Sequence, residues 1–284
     1  MTRSISLASG ALRKPRQRRI LPAFGLSLGF TVVYLSLIVL IPLAGLVWQA
    51  SGLGLDEFIS VTTSPRAIAA FKLTFGASFI AALINAVLGV VVAWVLVRYR
   101  FPGRRVLDAL VDFPLALPTA VAGLTYSSLY VPKGWLGHYT NMAGIKVSYD
   151  QVGVVLILTF IAMPFVVRTV QPVLQTLDRQ VEEAAASLGA TRVQTLFRVI
   201  LPALVPTVLT GTALAFARAV GEYGSVIFIA GNLPLKTEIA PLLVVIQLES
   251  FDYAAASAIA LVLLIGSVSI VGAINLTSRR LAHG

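Results

Sequence analysis

Leu73–Val97 reads LTFGASFIAALINAVLGVVVAWVLV and contains no Asp, Glu, Lys or Arg over 25 residues. A helix needs about 20 apolar residues to cross the hydrocarbon core of a bilayer. No water is available there, so each backbone amide has to be satisfied inside its own segment, and helix is the form that does so. The stretch runs directly into Arg98-Tyr99-Arg100-Phe101-Pro102-Gly103-Arg104-Arg105. Pro102-Gly103 supplies the turn chemistry and the arginines hold this loop out of the bilayer. Working outward, charge-free windows recur at Ile20–Leu55, Phe113–Pro132, Gln151–Val167, Val199–Ala217 and Tyr253–Ser278. Over the whole chain 57% of residues are hydrophobic and 12% charged, against roughly 25% charged in a soluble domain. The expected fold class is an all-α polytopic membrane protein with six spans, near 24–48, 73–97, 106–130, 152–170, 207–231 and 253–276. A basic arm, 1–22, precedes the membrane domain 23–277, and a tail, 278–284, follows it.

The net charge of +10 would suggest nucleic acid in a soluble protein, but its distribution refutes that. With the arm on the cytoplasmic side and the spans alternating, the inside segments hold 16 Lys and Arg. The outside holds five, Arg66, Lys72, Lys133, Lys146 and Lys236, and Arg218 falls within a span. That asymmetry places both termini in the cytoplasm of a multi-pass protein of the bacterial inner membrane. The run Arg13-Lys14-Pro15-Arg16-Gln17-Arg18-Arg19 then reads as a topology anchor that favours anionic membrane lipid. The first apolar run exceeds a signal-peptide core and is expected to remain as an uncleaved span. There is no cysteine, which removes disulfides and thiolate chemistry. His138 and His283 fall on opposite faces and cannot share a metal. None of the five lysines follows a glycine, so the chain has no phosphate-binding loop and is not itself an ATPase.

Gln171–Pro206 is where the sequence says most. Hydropathy drops, yet Asp178 can cap a helix from Arg179 to Leu188 that Gly189 ends in a left-handed cap. Thr191-Arg192-Val193-Gln194 has capping-box spacing, so a second helix starts at once and is expected to run until Pro202 breaks it. Small residues, Ala184, Ala185, Ala186 and Gly189, allow close approach of a soluble partner, and the carboxylates of Glu182 and Glu183 can pair with its Lys or Arg. A plain interfacial hairpin is the alternative from these residues alone.

Glu183-Ala184-Ala185, then Gly189, Val199, Leu201 and Pro202 resemble the EAA signature of ATP-binding-cassette importer permeases. The one departure is Val199 where the pattern has isoleucine. The resemblance implies the type I, MetI-like permease architecture, with 172–206 as the coupling loop. It implies docking of an ATPase dimer on Glu182, Glu183, Ala184, Ala185, Gly189, Leu201 and Pro202. ATP and Mg would be used by that partner, with no cofactor on this chain. The runs Phe113–Thr119, Gly221–Asn232 and Glu249–Ala256 further resemble the T-type permeases of sulfate/thiosulfate importers, over about Ile20 to Leu276. Molybdate permeases are similar in the fifth span, so molybdate or tungstate stays open as the cargo. The expected companions are a W-type permease, giving a heterodimer, and a periplasmic or extracellular sulfate-binding protein.

Within the spans, Arg218 and Glu222 stand i,i+4, and a buried charge of either sign needs a partner. Two readings stand: a pair on the translocation path, where Arg218 offsets an anion, or a bridge that fixes packing. Gly221 and Gly224 permit close approach or unwinding, while Pro114 and Pro118 either kink the third span or shape an inner gate. Asn85 is expected to bond across helices. An ion-coupled secondary transporter is the less favoured alternative: such proteins carry inverted repeats and midplane ion-coupling groups, whereas this chain offers one carboxylate with a partner already beside it. A membrane enzyme would need a nucleophile–base set or a metal-ligand cluster, which is also missing.

Overall fold

The computed structural model describes residues 24–283, and no strand occurs among them. The basic arm, 1–22, with its expected anchoring role, lies outside the described residues. The chain divides into two units at Gly45/Leu46. The first described helix, α1 (Phe24–Ala50), straddles that boundary and carries Pro42 internally. Most of its apolar side chains from Leu28 to Val47 are exposed, with Leu43 and Leu46 half-buried. In water such a surface would drive association; along a bilayer span it is the outer face.

The second unit opens with α2 (Leu55–Thr62) and α3 (Pro65–Arg98). Ser64-Pro65 starts the long helix. Ser64 Oγ accepts from Ala67 N at 3.2 Å, and Pro65 occupies the first turn, where no N–H is missed. The second span is therefore two turns longer than its apolar core and takes in Arg66 and Lys72. The third span is a broken one. α4 (Arg104–Ala116) and α5 (Thr119–Tyr130) meet at 108° across Leu117-Pro118. Pro118 cannot donate and holds Leu117 extended, so the chain turns rather than kinks. The glycine-rich segment that follows folds around α6 (Gly137–Met142), leading into α7 (Gln151–Thr176), which Asp150 caps through Val152 N.

Next come α8 (Arg179–Ser187), α9 (Arg192–Thr195), a π turn (Leu196–Ile200) and α10 (Leu201–Val220). Pro202 does not break this helix, contrary to expectation. The π turn shifts the bonding so that Leu201 N reaches Leu196 O. Pro202 then falls in a fresh first turn that does not use its missing donor. Arg192–Val220 is thus one continuous 29-residue rod. The short helices α11 (Val226–Ile229) and α12 (Ala240–Glu249) and the long α13 (Tyr253–His283) complete the chain. Among the described residues five helices are long and apolar enough to span a membrane, or six if the bent pair counts as one.

The core is built where α3, α7 and α10 meet. With lipid outside, small residues rather than hydrophobic exclusion let helices close on each other. A Cβ on Gly89 of α3 would come within 2.8 Å of the Val166 side chain of α7. On the other flank of Val166, Gly211 of α10 lets a helix backbone approach its Cα. Val166 is fully buried between two glycines on two helices. Asn85 Nδ2 donates to Thr159 O at 2.9 Å, the interhelical bond its position called for. Thr74 Oγ1 accepts from Ala240 N at 2.8 Å and caps α12, which has no side-chain cap of its own.

Candidate functional site: an exposed elbow and a buried turn

The elbow is assembled from local signals. Asp178 Oδ1 accepts from Gln180 N at 2.9 Å and starts α8. Gly189, at φ +84°, ends it, with Ala190 N returning to Ala185 O at 3.0 Å. A Cβ at Gly189 would meet nothing within 4 Å, so the glycine is required for its backbone and not for space. Thr191 Oγ1 accepts from Gln194 N at 3.3 Å and Gln194 Oε1 accepts from Thr191 N at 2.8 Å, completing the capping box. One face of the second arm is sunk into the bundle through Thr195 and Ile200. The other face is bare, with Val193 64% and Phe197 62% exposed, and Leu188 at the end of the first arm is 89% exposed. Glu183, Ala184 and Pro202 are exposed beside them, and Ala185 and Leu201 are half-buried.

Glu182 and Glu183, adjacent in sequence, part company. Glu182 Oε1 accepts from Arg98 Nη2 at 2.5 Å, and that guanidinium also lies 5.5 Å from the centre of the Trp94 ring. The elbow is therefore tied to the end of α3, and Glu183 is the carboxylate left facing outward. The sequence reading saw Arg98 only as a topology charge. Its place one turn after Trp94, at the end of an apolar run, was the available signal.

The second part lies inside the bundle. α10 stops at Val220 with Gly221 as its cap, so Arg218 and Glu222 do not share a helix face as expected; Glu222 returns to Arg218 from the turn. Arg218 Nη1 bonds Glu222 Oε2 at 2.6 Å. Glu222 Oε1 accepts from Ser225 N at 3.0 Å and Ser225 Oγ at 2.9 Å. Glu222 is 4% exposed, and these three bonds satisfy its buried charge. Arg218 is only half-buried, and no described residue accepts from its Nε or Nη2. The expected fifth span, 207–231, therefore ends as a helix at Val220, eleven residues early, and continues as a packed turn.

That turn rests on the break in the third span. A Cβ on Gly123 would lie 2.3 Å from Ser225 O, and one on Gly224 would lie 2.3 Å from Thr119 Oγ1. Two interrupted spans thus meet backbone to backbone through glycines just beyond Pro118. Pro114 sits within α4, on the far side of the bend, and is buried. α4 is held by a hub that the sequence reading missed. Arg168 of α7 uses all five of its N–H groups. They reach Asp112 (2.8 Å and 2.5 Å), Asp108 Oδ1 (2.7 Å), Asp108 O (2.7 Å) and Gln171 Oε1 (2.6 Å). Asp108 and Asp112 at i,i+4, with an arginine closing a charge-free run, were the signal. At the other end of the bundle Arg66 and Glu238 form a two-point pair at 2.7 and 2.6 Å, also unforeseen.

Spanning helices of which two are interrupted and packed on each other, with an exposed capped elbow bearing Glu-Ala-Ala and a left-handed glycine, define the membrane subunit of an ATP-binding-cassette importer. The chain belongs to the family of binding-protein-dependent transport system inner membrane components, which matches residues 85–283. It is 49% identical to the sulfate transport system permease protein CysT of Salmonella typhimurium, over 93% of this chain and 95% of that protein. It is 50% identical to CysT of Synechocystis sp., over 87% of this chain and 86% of that one. The crystal structure of a bacterial alginate ABC transporter, in complex with an alginate pentasaccharide-bound periplasmic protein, contains a chain of the same fold. Its TM-score is 0.73 at 20% identity, over 90% of this chain and 94% of that one. The all-α permease architecture and the inner-membrane location expected from the sequence both hold.

Proposed function

We propose that this chain is a non-catalytic permease subunit of a sulfate/thiosulfate importer, forming half of its translocation path beside a W-type permease. An ATPase dimer binds the elbow and hydrolyses Mg-ATP, and a sulfate-binding protein delivers cargo at the opposite face. The observation that carries this reading is identity near one half, end to end, with sulfate permeases. The elbow supports the partner assignment: it offers an apolar patch (Leu188, Val193, Phe197) beside an unpaired carboxylate, Glu183, on a rigidly capped frame. The excess of Lys and Arg in segments on the elbow's side supports a cytoplasmic elbow and cytoplasmic termini.

The buried turn supplies the path chemistry. Arg218 keeps guanidinium nitrogens free after saturating Glu222, so it can offset a dianion's charge in passing. A saturated Glu222 holds the arginine in place without repelling the anion from a second site. Binding of cargo here has to stay weak, because a tight midplane site would slow release. Pro118 and the Gly123–Ser225 contact form the hinge around which this region opens.

Uptake of radiolabelled sulfate in cells lacking this chain, with thiosulfate and molybdate as competitors, tests the proposal. Loss of sulfate uptake, restored by the intact gene, is expected. Intact sulfate uptake with loss of molybdate uptake would overturn the cargo assignment.

A further inference from the structure

Two adjoining features on the flank of α4 have no place in the transport reading. Between α3, α4 and α7 lies a groove of about 290 Å³ whose walls are apolar: Val91, Val95, Leu107, Leu110 and Met163 line it. At the start of α4 a second cavity, of about 640 Å³, is lined by Arg100, Arg104, Arg105 and Val106. None of these three arginines makes an ion pair with any described residue. Asp108 borders the same cavity, but its carboxylate is committed to Arg168 and Gln171. Arg104 still feels the Asp108 carboxylate through space, and the three arginines together keep a net positive charge at the cavity. α4 links the two features, because Val106 reaches the basic cavity and Leu107 and Leu110, within the next turn, line the apolar groove.

An apolar slot in the flank of a spanning helix, with a cluster of unpaired arginines at its mouth, has the form of an acyl chain beneath a phosphate headgroup. We propose that this flank is a binding site for an anionic phospholipid. One acyl chain lies between Val91, Val95 and Leu110, and the headgroup phosphate lies on Arg100, Arg104 and Arg105. Charge argues against the other occupants. The chain's own arm, with Arg13 to Arg19, and a second copy of this basic surface would both be repelled by the mouth of the site. A small free oxyanion would use the arginines but leave the groove without an occupant.

The test uses the full chain in detergent, titrated with phosphatidylglycerol and with phosphatidylcholine of the same acyl chains, and retained lipid is counted by native mass spectrometry. Phosphatidylglycerol is expected to be retained at least tenfold more strongly. The triple change Arg100→Gln, Arg104→Gln and Arg105→Gln abolishes that preference, and the triple change to Lys preserves it. Val95→Trp fills the groove with the arginines intact and lowers retention at least tenfold, which covers the case in which the Gln variant fails to fold. Equal retention of the two lipids, or a preference that survives the Gln variant, would overturn the site. Displacement by glycerol phosphate at equal concentration would reassign the arginines to a soluble oxyanion and overturn the lipid. Loss of the lipid when the importer assembles would give the groove to a neighbouring subunit and overturn it as well.

Discussion

The elbow after α7 and the turn after α10 are both helix ends closed by glycine, yet they dispose of their side chains in opposite ways. At the elbow the caps are local and complete, Asp178, Gly189 and Thr191–Gln194, and the bundle adds the Arg98–Glu182 tie and the seat of Thr195 and Ile200. The elbow's apolar residues are then free to stay exposed. At the turn Gly224 faces the Thr119 side chain, Gly123 of α5 faces the Ser225 backbone, Glu222 draws its bonds from Arg218 and Ser225, and Val226 is buried. The first surface is left bare and the second is closed by the chain itself. A frame set by local caps that leaves an apolar face bare offers an interface; a frame whose every contact is supplied by its neighbours makes a core.

The largest effect that would break this contrast belongs to the turn. Gly123→Leu drives a side chain into the Ser225 backbone, which cannot yield as a side-chain tip would, and should destabilise the bundle by about 4 kcal/mol. Thermal denaturation in detergent reads it, and a near-native melting point would show that the two interrupted spans do not depend on each other. Next comes Arg218→Ala, which strands a buried carboxylate and should lose about 3 kcal/mol. That is the low end for such a pair, since Ser225 still donates twice to Glu222. Arg218→Ala with Glu222→Ala should recover part of the loss; a double variant no better folded than the single would dismiss the ion pair as a packing element.

Gly189→Ala forces a non-glycine residue to φ near +84°, a strain of roughly 1–2 kcal/mol. With open space around it the bundle should melt almost normally. Co-purification of the ATPase should fall about tenfold, since 1.4 kcal/mol is a factor of ten. Undiminished co-purification would sever the elbow's shape from docking. The smallest stability effect is expected at Leu188→Ser: within about 0.5 kcal/mol for the isolated chain, together with weaker retention of the ATPase. A melting shift as large as that of Gly123→Leu would mean the elbow is part of the core after all.

What the sequence made legible was whatever is decided within a few residues. Charge-free runs marked the spans, and Asp178, Gly189 and Thr191–Gln194 marked the elbow, because caps are nearest-neighbour chemistry. Where tertiary contacts decide, the reading fell short. Nothing local distinguishes a proline that kinks a span from Pro118, which turns it through 108°, because the bend is held by Arg168 on another helix. Pro202 was expected to stop a helix and instead begins one, since the π turn before it is invisible to propensity. Arg98, Arg66 and Arg168 were read for the side of the membrane they mark. Their partners lie at Glu182, Glu238 and Asp108/Asp112, separations that no pattern within one helix can reveal.

The π turn at Leu196–Ile200 has a mechanical consequence. By absorbing Pro202 it lets 29 residues run unbroken from the elbow's capping box to Gly221, about 43 Å at 1.5 Å per residue. Under the proposed docking of an ATPase, a push on Thr191 has one continuous helix along which to reach the Arg218–Glu222 latch, with no relay of side chains needed to carry it, and the π turn and Pro206 are where that helix can flex.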